Sequence, residues 1–139
     1  MKTVLLDLNV VLDVILERQP GVIAAARLWA ALEQGAGRGL IPAHGVITIH
    51  YILAKARGRV FARQGVAQLL SVFGVAPIDE PVLQRALALA WRDFEDAVCA
   101  AAAEAARCDA LVTRDPDGFT DAPLPVMDPA TAFVRLSTD

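Results

Sequence analysis

Asp7 stands where a hydrophobic chain would end its first buried strand. In VLLDLNVVLDVI, residues 4–15, the continuous apolar run Val4-Leu5-Leu6 stops at this carboxylate. Such a run reads as one strand of a parallel sheet covered on both faces. Asp115 and Asp117 follow a second such run, which ends at Thr113. Asp96 falls in the first turn of an alanine-rich helix that Asp93 is placed to cap. Ligands of an open parallel sheet bind beyond the carboxyl ends of its strands, so these acids are expected near one edge. Carboxylates gathered there repel one another and hold their protons more tightly. A divalent cation removes that cost, and carboxylate oxygens suit Mg²⁺ or Mn²⁺ rather than zinc. Such a cation activates water and stabilises charge on a phosphodiester under attack. The residue types therefore point to a metal-dependent nuclease.

The elements that must position these acids can be read along the chain. Residues 3–8 form a strand, and Asn9 is placed to cap a helix over about 10–17. Helices follow over 21–34, 45–57 and 60–73, with Gly35, Gly37, Gly39 and Gly58 as breaks. Short strands are expected at 40–42, 74–78, 110–113 and 125–127. Further helices cover about 80–92, 94–107 and the segment after Pro129. Alternation of strands and helices means an α/β fold, with a short, mostly parallel sheet flanked by helices in three layers. At 139 residues the chain reads as one domain, 1–139.

Three stretches carry a resemblance: Val4 to Asp13, Asp93-Phe94-Glu95-Asp96-Ala97, and Leu111-Val112-Thr113-Arg114-Asp115. Their order and spacing resemble the PIN-domain family, in particular its VapC-like toxins. The resemblance implies a PIN-like domain with Mg²⁺- or Mn²⁺-dependent ribonuclease activity. It makes Asp7, Asp96 and Asp115 the catalytic metal ligands, with Asp117 able to substitute for Asp115. Asn9 and Thr113 become groups that orient ligands or water. It also implies an RNA substrate, an antitoxin partner and a homodimer. One departure stands out. The family's usual helix glutamate is missing from Ile47-Thr48-Ile49-His50-Tyr51, and His50 takes its place as a site neighbour. That departure keeps a second reading open, a PIN fold without catalysis that binds RNA or protein.

Other features are weighed against blander roles. Arg57, Arg59 and Arg63, beside Lys55, form the one local basic cluster, either an RNA-phosphate contact or a solvated face. Asp13 reads as a solvated residue or a partner of Arg18. His44 reads as a loop residue after Pro42. Cys99 and Cys108 match neither a disulfide framework nor a zinc spacing. The net charge of −3 weighs against a passive nucleic-acid coat. No apolar run approaches the roughly 18 residues of a membrane span, and the chain is expected in the cytoplasm. A phosphotransfer enzyme using Asp7 as nucleophile fits less well. The second acid such a hydrolase wants is Asn9 here, and lysine occurs only at 2 and 55.

Overall fold

The strands and helices alternate as the sequence requires, and the pleat decides which side chains meet which layer. The computed structural model describes residues 1–138. Its strands are β1 (Thr3–Leu6), β2 (Arg38–Pro42), β3 (Gly74–Ala76), β4 (Ala110–Val112) and β5 (Val126–Met127). They form one sheet in the order β3-β2-β1-β4-β5, with every adjacent pair parallel. β1 is central, so the carboxylate after it lies in the middle of the carboxyl edge.

Seven helices cover the sheet: α1 (Leu8–Ile15), α2 (Val22–Glu33), α3 (Ala43–Arg57), α4 (Arg59–Val72), α5 (Glu80–Leu89), α6 (Phe94–Ala105) and α7 (Pro129–Thr138). Val4, Leu6, Ile41, Ala110 and Val112 pack with the buried residues of α1, α2, α3, α4 and α7. Leu5, Leu40 and Leu111 instead face α5 and α6. This alternation is the period of two expected of strands buried on both faces. Three layers result, as the sequence led one to expect.

Two helix starts differ from the sequence reading. The first helix begins at Leu8, and its cap is Asp7 rather than Asn9. The Asp7 N–H completes the ladder on the Val112 carbonyl at 2.9 Å, and its own backbone is still extended (φ −66°, ψ 150°). The chain therefore turns into the helix one residue after the strand's last ladder bond. Likewise α3 starts directly after β2, with Pro42 in the cap position, so His44 lies in a helical first turn and not in a loop. The sequence reading begins this helix at Gly45, two residues late; Gly45 is buried, and a Cβ there would press on the Pro42 ring at 3.3 Å.

The α3–α4 hairpin turns at Gly58, whose φ of +89° suits glycine. The tandem alanines of α6 serve a different end. Ala97 and Ala100 to Ala103 are fully buried, which lets the helix backbone lie close on the sheet. No helix among the described residues is long and apolar enough to cross a membrane.

Candidate active site

The pleat that sends Leu5 and Leu111 toward α6 also brings Asp7 and Thr113 to the same side. Asp7 is 8% exposed and both its oxygens are occupied. Oδ1 accepts the Leu8 N–H at 2.8 Å, and Oδ2 accepts the Thr113 hydroxyl at 2.9 Å. Burial pushes the Asp7 carboxyl above its ordinary range, with Glu95 adding to the rise. The bonds from Thr113 and Leu8 and the nearby His44 oppose it.

Thr113 is fully buried and uses its whole hydrogen-bonding capacity. Besides donating to Asp7, its oxygen accepts from Asn9 Nδ2 at 3.4 Å and from the Asp115 N–H at 3.3 Å. Asn9 Oδ1 in turn accepts the Arg114 N–H at 3.3 Å. α1, β1 and the segment after β4 are thus tied together around Asp7.

Asp96 approaches from the other layer. Asp93 caps α6 by accepting the Asp96 N–H at 3.0 Å, the local reason that the first turn is fixed. The Asp96 carboxyl is pushed up to about 6, first by burial and then by the charges of Asp93, Asp7, Glu95 and Asp115. Asp115 is exposed and precedes a 3₁₀ turn, Pro116–Phe119. Asp117 lies within that turn, exposed. The charges of Asp7 and Asp115 both act on Asp96.

The histidine beside this field is His44. It acts on Asp7, its Nε2 lies 4.0 Å from Cys99 Sγ, and its Nδ1 is buried without a hydrogen-bond partner among the described residues. His50 lies six residues further along α3, half-buried, and its imidazole makes no hydrogen bond or ion pair among the described residues. At about 100° per residue the two histidines do not share a helix face. His44 could have been found in the sequence once α3 was started at Ala43, because the first turn after a parallel strand points to the carboxyl edge. Cys99 is buried, and its thiol is held well above the ordinary range, first by burial and then by the same acids. It is no nucleophile.

Arg57, Arg59 and Arg63 sit at the α3–α4 turn, all exposed. The Arg57 guanidinium lies over the Phe61 ring at 5.0 Å. Asp13 is not solvated. It is 1% exposed and paired with both Arg18 and Arg114.

Among the described residues no three acids or histidines stand at the spacing of a formed metal cage. In chemical kind the donors nevertheless fit a hard divalent cation. They are carboxylate oxygens whose mutual repulsion already raises Asp96, and a bound cation would relieve it. The Asp96 and Asp115 carboxylates accept no hydrogen bond among the described residues.

A parallel sheet in this order, with acids gathered past its central strand, defines the class, and the family follows from comparison. The PIN domain family model matches residues 3–117, and the chain belongs to that family. Among solved structures it is similar to VapBC2 from Rickettsia felis bound to a DNA fragment from its promoter. That match has a TM-score of 0.73 and 16% identity, and covers 91% of this chain and 98% of that one. A toxin–antitoxin complex from Klebsiella pneumoniae matches with a TM-score of 0.69 and 24% identity over 91% and 97% of the two chains. VapC20 of Mycobacterium tuberculosis, a Sarcin-Ricin loop cleaving toxin, matches with a TM-score of 0.64 and 17% identity over 78% and 86%. These likenesses show a shared fold. No curated protein matches the sequence.

Proposed function

We propose that this chain, acting as one domain over residues 1–139, is a metal-dependent endoribonuclease and the toxin of a toxin–antitoxin pair. The observation that carries the reading is geometric: Asp7, buried past the central strand, is held through both oxygens by the Leu8 N–H and the Thr113 hydroxyl, and Asp96 on the capped first turn of α6 comes close enough to Asp7 and Asp115 for their charges to help raise its carboxyl to about 6. Asp7, Asp96 and Asp115 hold Mg²⁺ or Mn²⁺, with Asp117 in reserve. When bound, the ion lowers the pKa of a water and offsets the negative charge on the phosphodiester. Asp7 cannot swing, because Leu8 and Thr113 hold both its oxygens. Thr113 and Asn9 keep the Asp115 segment against Asp7. His50 is the nearest replacement in sequence for the family's helix glutamate, and His44 supplies the imidazole that acts on Asp7. Arg57, Arg59 and Arg63 offer exposed charge to RNA phosphates. The antitoxin, as in the complexes that share this fold, and a second copy of the chain are the partners. Exposed Ile47, Tyr51 and Val60 on α3 and α4 are apolar surface for such contacts. The setting is the cytoplasm.

The direct test is cleavage of single-stranded RNA in Mg²⁺ or Mn²⁺. Loss of cleavage in both Asp7→Asn and Asp96→Asn is expected, and full activity in either would sink the assignment. A second reading is favoured by the absence of a formed three-ligand group among the described residues. In that reading the chain is a PIN fold that binds RNA or protein without cutting. Metal-independent RNA binding with no cleavage in either ion would select it.

A further inference from the structure

Outside the acid cluster, the most built constellation of charge centres on Asp13. This carboxylate lies in α1 and is 1% exposed. Its Oδ1 accepts from Arg18 Nε at 2.9 Å and from Arg114 Nη1 at 2.8 Å. The other side is closed by Gly21, where a Cβ would collide with Asp13 Oδ2. One guanidinium is enough to neutralise a buried carboxylate. The second leaves the group with net positive charge, carried by two cations that share one acceptor and must therefore be neighbours. Yet the two arginine side chains stay 37% and 45% exposed. Each guanidinium has five donors in a rigid fork suited to phosphate, and few of them are used here.

The position of this pair matters as much as its charge. Arg114 is the residue between Thr113, which bonds Asp7, and Asp115, which acts on Asp96. Its N–H is held by Asn9 Oδ1, and Arg18 Nη2 reaches the Asn9 carbonyl at 3.5 Å. The pair is fastened to the same residues that fasten the acid cluster. Arg57, Arg59 and Arg63 make no ion pair among the described residues and are not held in this way. An RNA chain approaching the acids would be repelled along most of its length, and here it would meet pre-oriented positive charge. We propose that Arg18 and Arg114, clamped by Asp13, form a cradle for an RNA backbone phosphate beside the acid cluster. The proposal rests on the ribonuclease reading above.

The test is binding of a fluorescent single-stranded RNA by anisotropy in EDTA, over a series of KCl concentrations. Each lost phosphate contact on a single strand lowers the slope of log affinity against log salt by about 0.7. Arg18→Gln and Arg114→Gln should each lower the slope by part of this amount and the double variant by about 0.7 in all, because both guanidiniums share one phosphate, while Arg85→Gln, paired elsewhere with Glu104, keeps the wild-type slope. Each single variant leaves Asp13 one guanidinium, and circular dichroism reads whether the fold survives. Arg18→Lys and Arg114→Lys should keep the slope but bind several-fold more weakly, because the fork is lost. A wild-type slope in both folded glutamine variants overturns the proposal. Should those variants not fold, wild-type affinity in the lysine variants overturns it, as does a wild-type chain that binds no RNA. Cleavage of the same RNA by the wild type in Mn²⁺, read in parallel, separates failure of the cradle from failure of the ribonuclease reading.

Discussion

The Thr113 hydroxyl donates to Asp7 and accepts from Asn9 and the Asp115 N–H. Thr113→Val, nearly isosteric, removes all three bonds and leaves a buried carboxylate oxygen without its donor. A loss of about 1–3 kcal/mol in stability is expected from urea unfolding. Cleavage should fall about 10–100-fold, the usual effect of removing a group that orients a metal ligand. Asp96 makes a different expectation. Its folded pKa is raised to about 6, so between the ordinary carboxylate range and pH 6 the folded state binds more protons than the unfolded state. Stability from this group is therefore present at low pH and is lost as pH rises through 6. In the metal-free protein, Asp96→Asn should raise the thermal midpoint relative to wild type at pH 7 and have little effect near pH 4. Asp109 and Asp128 are held below the ordinary range by backbone N–H bonds and titrate in the opposite sense. The comparison of variant with wild type cancels them. An equal shift at both pH values would contradict the burial and charge field assigned to Asp96.

α6 is the element on which the site depends most. Its capped first turn carries Glu95 and Asp96, and its buried alanines set how near the sheet they come. Ala100→Leu should cost about 1–3 kcal/mol by overpacking, measured by urea unfolding. It should also lower cleavage at temperatures where the variant is folded, because the helix must move off the sheet. Most elements could be read from the chain, since apolar runs, glycine breaks and the cap at Asp93 are local signals. The start of α1 could not. Asp7 and Asn9 both have capping side chains, and the choice is made by a ladder bond to Val112, far away in sequence. His44 escaped for a related reason, because β2 passes into α3 with no linking residue and no Ser, Thr, Asp or Asn cap. At Asp13 the sequence offered the Arg18 pair, five residues away, and that pair forms. The second partner, Arg114, lies 101 positions along the chain and has no local signal.

Across the whole molecule, the sheet order puts β1 between β2 and β4. The carboxyl edge of β1 is thereby flanked by the first turn of α3 on one side and the Thr113–Asp115 segment on the other. α6 closes the gap from the opposite layer. A chain of net charge −3 that concentrates acids at this edge gains nothing from them unless a cation is held there. Basic charge stands beside this edge in the Asp13 clamp, where Arg114 follows Thr113 directly. The central claim is that the acids past β1 hold a metal that cuts RNA. It is tested most directly by the rate of single-stranded RNA cleavage in Mn²⁺, wild type against Asp96→Asn, with both proteins shown to be folded. Cleavage by the wild type that EDTA abolishes and the variant loses by about 100-fold or more is the expected result, a magnitude typical of removing one charge-stabilising group. Cleavage that persists in EDTA, or equally in Asp96→Asn, would contradict it.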